Sequence, residues 1–411
     1  MEKKKPFEDI HIINLAWSGV GNFIVKWFAQ YGAMTIRVES ANRSDPMRTA
    51  QPYAPTYTPG EPPGLERAFY FSQGHPFREY GLALDFNKPR AIELFKKLVA
   101  WADVVVETFA PGQMAKWGLA YDDLKKIKPD IIMLSSSGYG QTGPISNLAA
   151  FGFQLSAVAG MYEITGWPDR PTMPIGSFYT DVLSPMAAAV AVTTAIDYRR
   201  RTGQGQHIDH CHSEAAINFI APLILDYAAN QRLLKTNGNK HPCAAPHGVY
   251  RCKGDDRWVA IAVFTDEEWD SFCRVIGNPD WTKDGRFGTL GERVKNSDEL
   301  DELVNGWTAQ FTAEQVMERM QAAGVAAGLV ADGRDLASDP QLNHYGYFQE
   351  RDHPYIGRHR HYHPPTFTLS EAEAEVTAPV LLGEHTEYIA TKILGLSDEE
   401  FVQLVQEGVF E

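Results

Sequence analysis

The 411-residue chain is 44% hydrophobic and 22% charged, an ordinary globular composition that can build a sizeable core over two or three domains. Its formal charge of −14 excludes non-specific nucleic-acid binding, which depends on basic surface, and means that an anionic ligand must be met by local cations or backbone N–H groups. Four scattered cysteines without a CxxC pair, a charged N-terminal stretch and an apolar run (Pro185 to Ile196) too short to cross a bilayer lead us to expect a soluble, cytoplasmic protein.

Strand and helix patterns alternate through the first two hundred residues. His11 to Trp17 is a short apolar run that ends in Ser18-Gly19-Val20-Gly21, and an amphipathic stretch follows from Phe23 to Tyr31. Met34 to Glu39 is a β-branched strand, and Ser40 to Gln73, rich in Pro, Tyr and Gly, reads as an excursion over the surface. Pro89 to Trp101 carries Ile92, Leu94, Phe95 and Leu98 at helical spacing, Val104 to Val106 is a buried strand, and Ile131 to Ser135 is another. This βαβ rhythm predicts a parallel sheet with helices on both faces. A further helix-like run covers Met186 to Tyr198.

The rhythm changes after Gly203. Leu223 to Leu233 reads as a helix and Asn237 to Gly248 as a loop. Tyr250 to Cys252 and Trp258 to Val263 read as antiparallel strands around Gly254-Asp255-Asp256. Thr265 with Glu268 forms a capping box that opens a helix through Val275, and helices follow at Ser297 to Phe311 and Ala313 to Ala323. The boundaries drawn from this are a large domain over 1–200 and 336–411, a small α+β domain over 225–310, and linkers at 201–224 and 311–335.

Four constellations could carry chemistry. Gly19-Val20-Gly21 after a strand, with Glu39 closing the next, outlines a dinucleotide turn; Ile24 replaces the third glycine, so a tight strand-to-helix turn is the preferred reading. His207, His210, Cys211 and His212 cluster, and His359, His361 and His363 alternate on one face of a strand; neither group has the spacing of a zinc site, and no metal is assigned. Ser135 to Pro144, Gly- and Ser-rich, lies at the carboxyl end of a strand but is not a G-x-S-x-G elbow. Asp181 is a lone carboxylate among small and apolar neighbours, which composition alone leaves as a solvated or N-capping group.

Six segments in order resemble the family III CoA-transferases, the group of formyl-CoA transferase and the carnitine and bile-acid CoA-transferases. They are Asp103 to Phe109 with Pro111-Gly112, Gly138 to Pro144, Arg201 to Gln206 with Asp209, Gly324 to Gly328, Asp339 to Leu342, and Ala378 to Thr386. The resemblance implies an α/β fold: a Rossmann-like large domain from both chain ends, a small domain, and two chains interlocked as a dimer. It implies Asp181 as the covalent nucleophile. Gly19, Val20, Leu84, Asn87, Thr108, Phe109 and Lys116 would touch coenzyme A, and Gly138 and Gly140 would supply oxyanion donors. No permanently bound cofactor is implied; acyl-CoA thioesters and carboxylic acids are the substrates, with no nucleic-acid or membrane partner.

The chain departs from the family pattern at Val20-Gly21-Asn22, at Pro76 to Gly81, and at Thr108 in place of asparagine. Altered CoA loops beside an intact nucleophile suit a homodimer or a heteromer with a homologous subunit, as in the benzylsuccinate CoA-transferases. Arg48, Arg78 and His247 are candidates to pair with a second carboxylate, as a succinyl donor or acceptor would need. The alternatives are a nicotinamide dehydrogenase, a non-catalytic partner subunit, and an acyl-CoA racemase. The last needs a His-Asp pair where this chain has Phe151-Gly152.

Overall fold

In the computed structural model, which describes residues 4–53, 78–176, 178–361 and 365–411, the chain forms two compact units. The first unites 1–161, 174–232 and 342–411; the second unites 162–173 and 233–341. Most of the expected surface excursion, together with His363, lies outside the described residues.

The first unit is built on a six-stranded parallel sheet: β1 (His11–Leu15), β2 (Met34–Glu39), β3 (Glu79–Ala83), β4 (Val104–Glu107), β5 (Ile132–Ser137) and β6 (His207–Cys211). The spatial order is β3-β2-β1-β4-β5-β6, so the winding reverses between β1 and β4. At such a reversal the loops leaving the strands diverge and open a crevice at their carboxyl ends. The near-continuous apolar character of β1, β4 and β5 follows from burial on both faces. On one face α1 (Gly19–Gln30) and the long helix Tyr179–Thr202 pack through Val20, Ile24, Phe28, Ala188, Val192 and Ile196. On the other lie helix α2 (Pro89–Trp101), through Leu94, Phe95 and Leu98, and the C-terminal residues Ile389 and Leu404.

The recurrent motifs are explained by how this unit closes. Asp103 accepts from His11 N–H at 2.8 Å and pairs with Arg199 at 2.9 Å, tying β1, β4 and the long helix together. Gly203 ends that helix in the left-handed region, at φ 74°. A Cβ at Gly205 would meet the Ile131 carbonyl oxygen at 2.1 Å, so only glycine lets the chain enter β6 here. The C-terminal Ala378–Thr386 segment covers β3: Thr386 Oγ1 accepts from Ala83 N–H at 3.0 Å, and His385 Nδ1 accepts from Gly81 N–H at 3.3 Å. The segment 201–224, expected as a linker, instead supplies β6, whose alternation of exposed and buried residues hides it from a reading based on continuous apolar runs.

The second unit has an antiparallel sheet of β7 (His247–Arg251), β8 (Trp258–Ala262) and β9 (Ala326–Leu329), in that order. Helices Asp266–Val275, Ser297–Thr308 and Ala313–Ala322 supply its core through Phe272, Leu300, Val304 and Val316. Thr265 and Glu268 form the expected capping box. The other expected linker, 311–335, contributes a helix and β9 to this core, because β8 needs a second partner to bury Val259 and Ile261.

Candidate active site

Two cavities open at the carboxyl ends of the parallel strands and share the walls Trp17, Arg43 and Phe109. The first, of about 300 Å³, runs over the ends of β1, β2 and β3 and is lined by Leu84, Asn87 and Trp117. The second, of about 360 Å³, lies over the ends of β1, β4 and β5 and holds Asp181, Gly138, Gly152, Ser136 and His212. Together they make one cleft across the topological switch point, where a doubly wound sheet binds ligands.

The turn that forms the cleft wall is tightly built. Ser18 has φ 66°, a left-handed conformation costly for serine, and its N–H donates to Asp45 Oδ2 at 3.1 Å. A Cβ at Gly21 would stand 2.2 Å from Ala16 Cβ and 2.8 Å from Thr108 Cγ2. Gly21 therefore serves close helix–strand packing. Thr108 Oγ1 accepts from Trp17 N–H at 2.9 Å and donates to the Trp17 carbonyl at 3.2 Å, clamping the ends of β1 and β4. Glu107, buried at the end of β4, accepts from Phe109 N–H at 2.7 Å, and burial pushes its carboxyl up to about 7.

Glu39 does not have the freedom that ribose binding requires. Its carboxylate is held by Arg37 at 2.7 Å and Arg48 at 2.6 Å, with all three side chains nearly sealed from solvent. The two guanidiniums keep it well below the usual carboxylate range despite burial. Arg48 is thereby spent on Glu39 and the Val380 carbonyl and is no candidate for a substrate carboxylate. Arg78 reaches the Tyr80 hydroxyl at 3.0 Å, and His247 belongs to the second unit, where it bonds the Asn239 carbonyl at 2.5 Å.

Asp181 lies in the first turn of the long helix, α4 (Tyr179–Thr202), facing α3 (Gly152–Val158). Thr180 Oγ1 donates to the Gly152 carbonyl at 3.2 Å and to Asp181 Oδ1 at 3.3 Å, which fixes the two helix starts together. Burial outweighs the Thr180 hydrogen bond and raises the Asp181 carboxyl to about 6. Pro185, one turn on, has no N–H to return to the Asp181 carbonyl, a break that a helix interior ordinarily avoids. The helix is longer than the apolar run Pro185 to Ile196 suggested: 24 residues, long and apolar enough to cross a membrane by composition, yet with Ala188, Val192 and Ile196 in the sheet's core.

Of the residues expected at the site, Val20, Thr108, Gly138 and Asp181 line the inner cavity, Leu84 and Asn87 the outer one, and Phe109 both. Gly19, Lys116 and Gly140 line neither. Gly19 faces Phe23 and Met47, and Gly140, at φ 80°, turns toward Asp209, whose Oδ1 accepts from Gln141 N–H at 2.9 Å. Two residues escaped the sequence reading. Arg43 stacks over Trp17, its guanidinium carbon 5.2 Å from the ring centroid, and makes no ion pair among the described residues. The Trp17 indole N–H is buried without a hydrogen-bond partner among them. Trp17 reads as the end of an apolar strand run and Arg43 as part of the surface excursion, so neither signals a ligand contact.

The chain matches the model of CoA-transferase family III over residues 7–386, and it belongs to that family. It is 30% identical over 401 residues to succinyl-CoA–D-citramalate CoA-transferase of Chloroflexus aurantiacus, covering 97% of each chain. It is 28% identical over 403 residues to the beta subunit of succinyl-CoA–L-malate CoA-transferase of the same organism, covering 97% of this chain and 96% of that one. Among solved structures, a CaiB/BaiF family protein from Brucella suis superimposes with a TM-score of 0.85 at 29% identity, over 95% of this chain and all of that one.

Proposed function

We propose that this CoA-transferase moves coenzyme A from an acyl-CoA, with a succinyl group as the favoured donor, to a free carboxylic acid through covalent intermediates on Asp181. The observation that carries this is the position of Asp181. It is a carboxylate with a raised pKa at the inner end of a cleft whose outer end offers stacking and cationic groups. A carboxylate shed of water is the stronger nucleophile. The succinyl donor follows the names of the relatives, both succinyl-CoA enzymes.

The steps balance without ATP, metal or redox partner. An Asp181 carboxylate oxygen attacks the thioester carbonyl; the C–S bond breaks and a mixed anhydride and CoA thiolate form. The thiolate attacks the aspartyl carbonyl, releasing the donor acid and leaving an aspartyl-CoA thioester. The incoming carboxylate attacks that thioester, and the thiolate finally attacks the acyl carbonyl of the second anhydride, regenerating Asp181. Each tetrahedral stage develops an oxyanion, for which the main chain at Gly138, in the same cavity, is the expected donor. Coenzyme A would lie along the cleft, its adenine among Leu84, Asn87, Phe109 and Trp117, its phosphates by Arg43, and an acceptor group against the Trp17 indole N–H.

A second chain fits this reading. Helix Ala221–Asn230 buries none of its residues, and Ile224, Leu225, Val182, Met186 and Val190 are exposed on it and on α4. An apolar expanse of this kind calls for a subunit partner, as the interlocked dimer would supply. The partner is a second copy or a homologous subunit, the latter in line with the relative named as a beta subunit. Four free cysteines suit the cytoplasm.

Hydroxylamine trapping tests the mechanism. After incubation with succinyl-CoA, the peptide containing Asp181 should carry a hydroxamate, and the same peptide from Asp181→Asn should not. A hydroxamate at another carboxylate, or none during active turnover, would overturn the assignment.

A further inference from the structure

The segment after β2 carries Arg43, and its sequence offers that cation an acid two residues on, Asp45. The fold turns Asp45 the other way. Its side chain is fully buried and lines neither cavity, whereas Arg43 is exposed in the wall that the two cavities share. Asp45 Oδ2 accepts from Ser18 N–H at 3.1 Å, from Asn22 Nδ2 at 3.3 Å and from the Arg37 guanidinium. Its Oδ1 accepts from Met47 N–H at 2.8 Å. One carboxylate thus gathers donors from the β1–α1 turn, from β2 and from its own turn.

Asn22, at one of the positions where the chain departs from the family pattern, completes the clamp. Its Nδ2 also donates to the Ser18 carbonyl, and its Oδ1 accepts from Arg37 and, at 3.0 Å, from Asn14 Nδ2. Ser18 is therefore held at both its N–H and its carbonyl in a conformation, φ 66°, that a serine otherwise avoids. The Asp45–Ser18 bond sets residue 45 beside residue 18, and two residues back Arg43 meets Trp17, its guanidinium carbon 5.2 Å from the ring centroid. On the other side of Arg43 the chain closes a turn, Arg43 N–H donating to the Ser40 carbonyl at 3.1 Å. Because Asp45 is committed to the buried Arg37, it does not neutralise Arg43, whose charge stays available to the cleft.

We propose that Asp45 is a positioning residue for substrate binding: it anchors the loop that carries Arg43 to the turn that carries Trp17, and so holds the guanidinium where the acyl-CoA phosphates pass, without touching the substrate. This rests on the reading above that those phosphates lie by Arg43. A charge-assisted contact from a guanidinium to phosphate depends on the donor's placement. A long side chain binds more tightly when its main chain and its stacking face are already fixed, since less ordering is left to the moment of binding. Asp45 fixes the first and, through Ser18 and Asn22, helps fix the second.

The test uses the purified full chain, with its homologous subunit if it has one, and reads KM for succinyl-CoA in the parent, Asp45→Asn, Arg43→Ala and the double variant. Asp45→Asn keeps the shape but sets an amide N–H against one of the four donors. It should raise KM about fivefold or more, with a smaller change in kcat. In the Arg43→Ala background the same substitution should change KM by less than about twofold, because a residue that acts through Arg43 has nothing left to position. With succinyl-pantetheine, which lacks every phosphate, Asp45→Asn should cost less in kcat/KM than it does with succinyl-CoA. A structural role alone would slow both thioesters alike. Equal losses on the two thioesters, or an equal rise in KM with and without Arg43, would overturn the inference and leave the transferase reading intact. An unchanged KM in Arg43→Ala would also overturn it. Transfer to no acid from any donor would sink the transferase reading, and the inference with it. If Asp45→Asn does not fold, Asn22→Ala carries the same cycle, since it removes one donor from Asp45 and one from the Ser18 carbonyl. It should raise KM only while Arg43 is present, and an unchanged KM there overturns the proposal.

Discussion

Gly152 and Asp181 compete for one small volume: a Cβ built on Gly152 would stand 2.7 Å from Asp181 Oδ1 and 2.9 Å from its Cγ. The carboxylate occupies the space that a side chain at 152 would take. The same contact bears on the racemase alternative, since an aspartate at 152 would have to displace Asp181, and Phe151, 65% exposed, offers no base. We expect Gly152→Ala to lower kcat at least tenfold by turning Asp181 aside, and to lower the melting temperature as well, since the new Cβ would also stand 2.9 Å from Phe178 Cβ, which cannot rotate away. Parent-like kcat would show that Asp181 tolerates displacement and that its observed position is not the reactive one.

Asp181→Ala and Asp181→Asn are expected to abolish transfer while leaving the fold intact, since neither retains an attacking carboxylate oxygen. Steady-state transfer assays with circular dichroism as the folding control measure this. A tenth of the parent rate in Asp181→Ala would refute the nucleophile assignment.

The pH dependence follows from the raised carboxyl of Asp181. Only the ionised form attacks, so kcat/KM should climb about tenfold per pH unit below 6 and level off above it. Glu107→Gln should leave this limb in place, whereas a limb centred near 7 that vanishes in that variant would transfer control to Glu107. Stability runs the other way. A folded-state pKa raised above the usual carboxyl value of 3.8 means the native state holds the proton more tightly. Stability is therefore lost as pH rises from about 4 to 6. Asp181→Asn should gain stability of about 1 kcal/mol at pH 7.5, after discounting for partial solvent contact. Denaturant titration at pH 4 and pH 7.5 gives the comparison.

Arg43→Ala should raise KM for the acyl-CoA about tenfold or more, the worth of a charge-assisted hydrogen bond to phosphate, with a smaller change in kcat. Its stability should match the parent, because Arg43 has no acidic partner among the described residues. An unchanged KM would move the phosphates elsewhere in the cleft.

Turnover in heavy water should leave no deuterium at the α-carbon of recovered acyl-CoA, because anhydride and thioester exchange never touch that carbon. Mass spectrometry of the product decides this, and α-deuterium would revive the racemase.

Much of the fold was legible along the chain because it depends on local rules. The strand Met34–Glu39, the helices Pro89–Trp101 and Asp266–Val275, and the capping box of Thr265 and Glu268 are set by side-chain periodicity and by hydrogen bonds between near neighbours. The six segments that identify the family are likewise read in order without any structure. Many of their residues prove to be places where backbone meets backbone, as at Gly205 against Ile131. What the chain could not disclose is which distant side chains share a charge or a cavity. Glu39 and Arg48 looked available until burial paired them, since desolvated charges must find partners. Asp181 looked like any N-terminal helix aspartate until the fold drew Gly152 against it and took away part of its water. The histidine cluster and the Ser135 to Pro144 loop stood out in the sequence, but the pairing of Ser136 with His210 and His212 did not, because only the sheet's register sets those side chains against one another, and Arg43 lay in a stretch without any period.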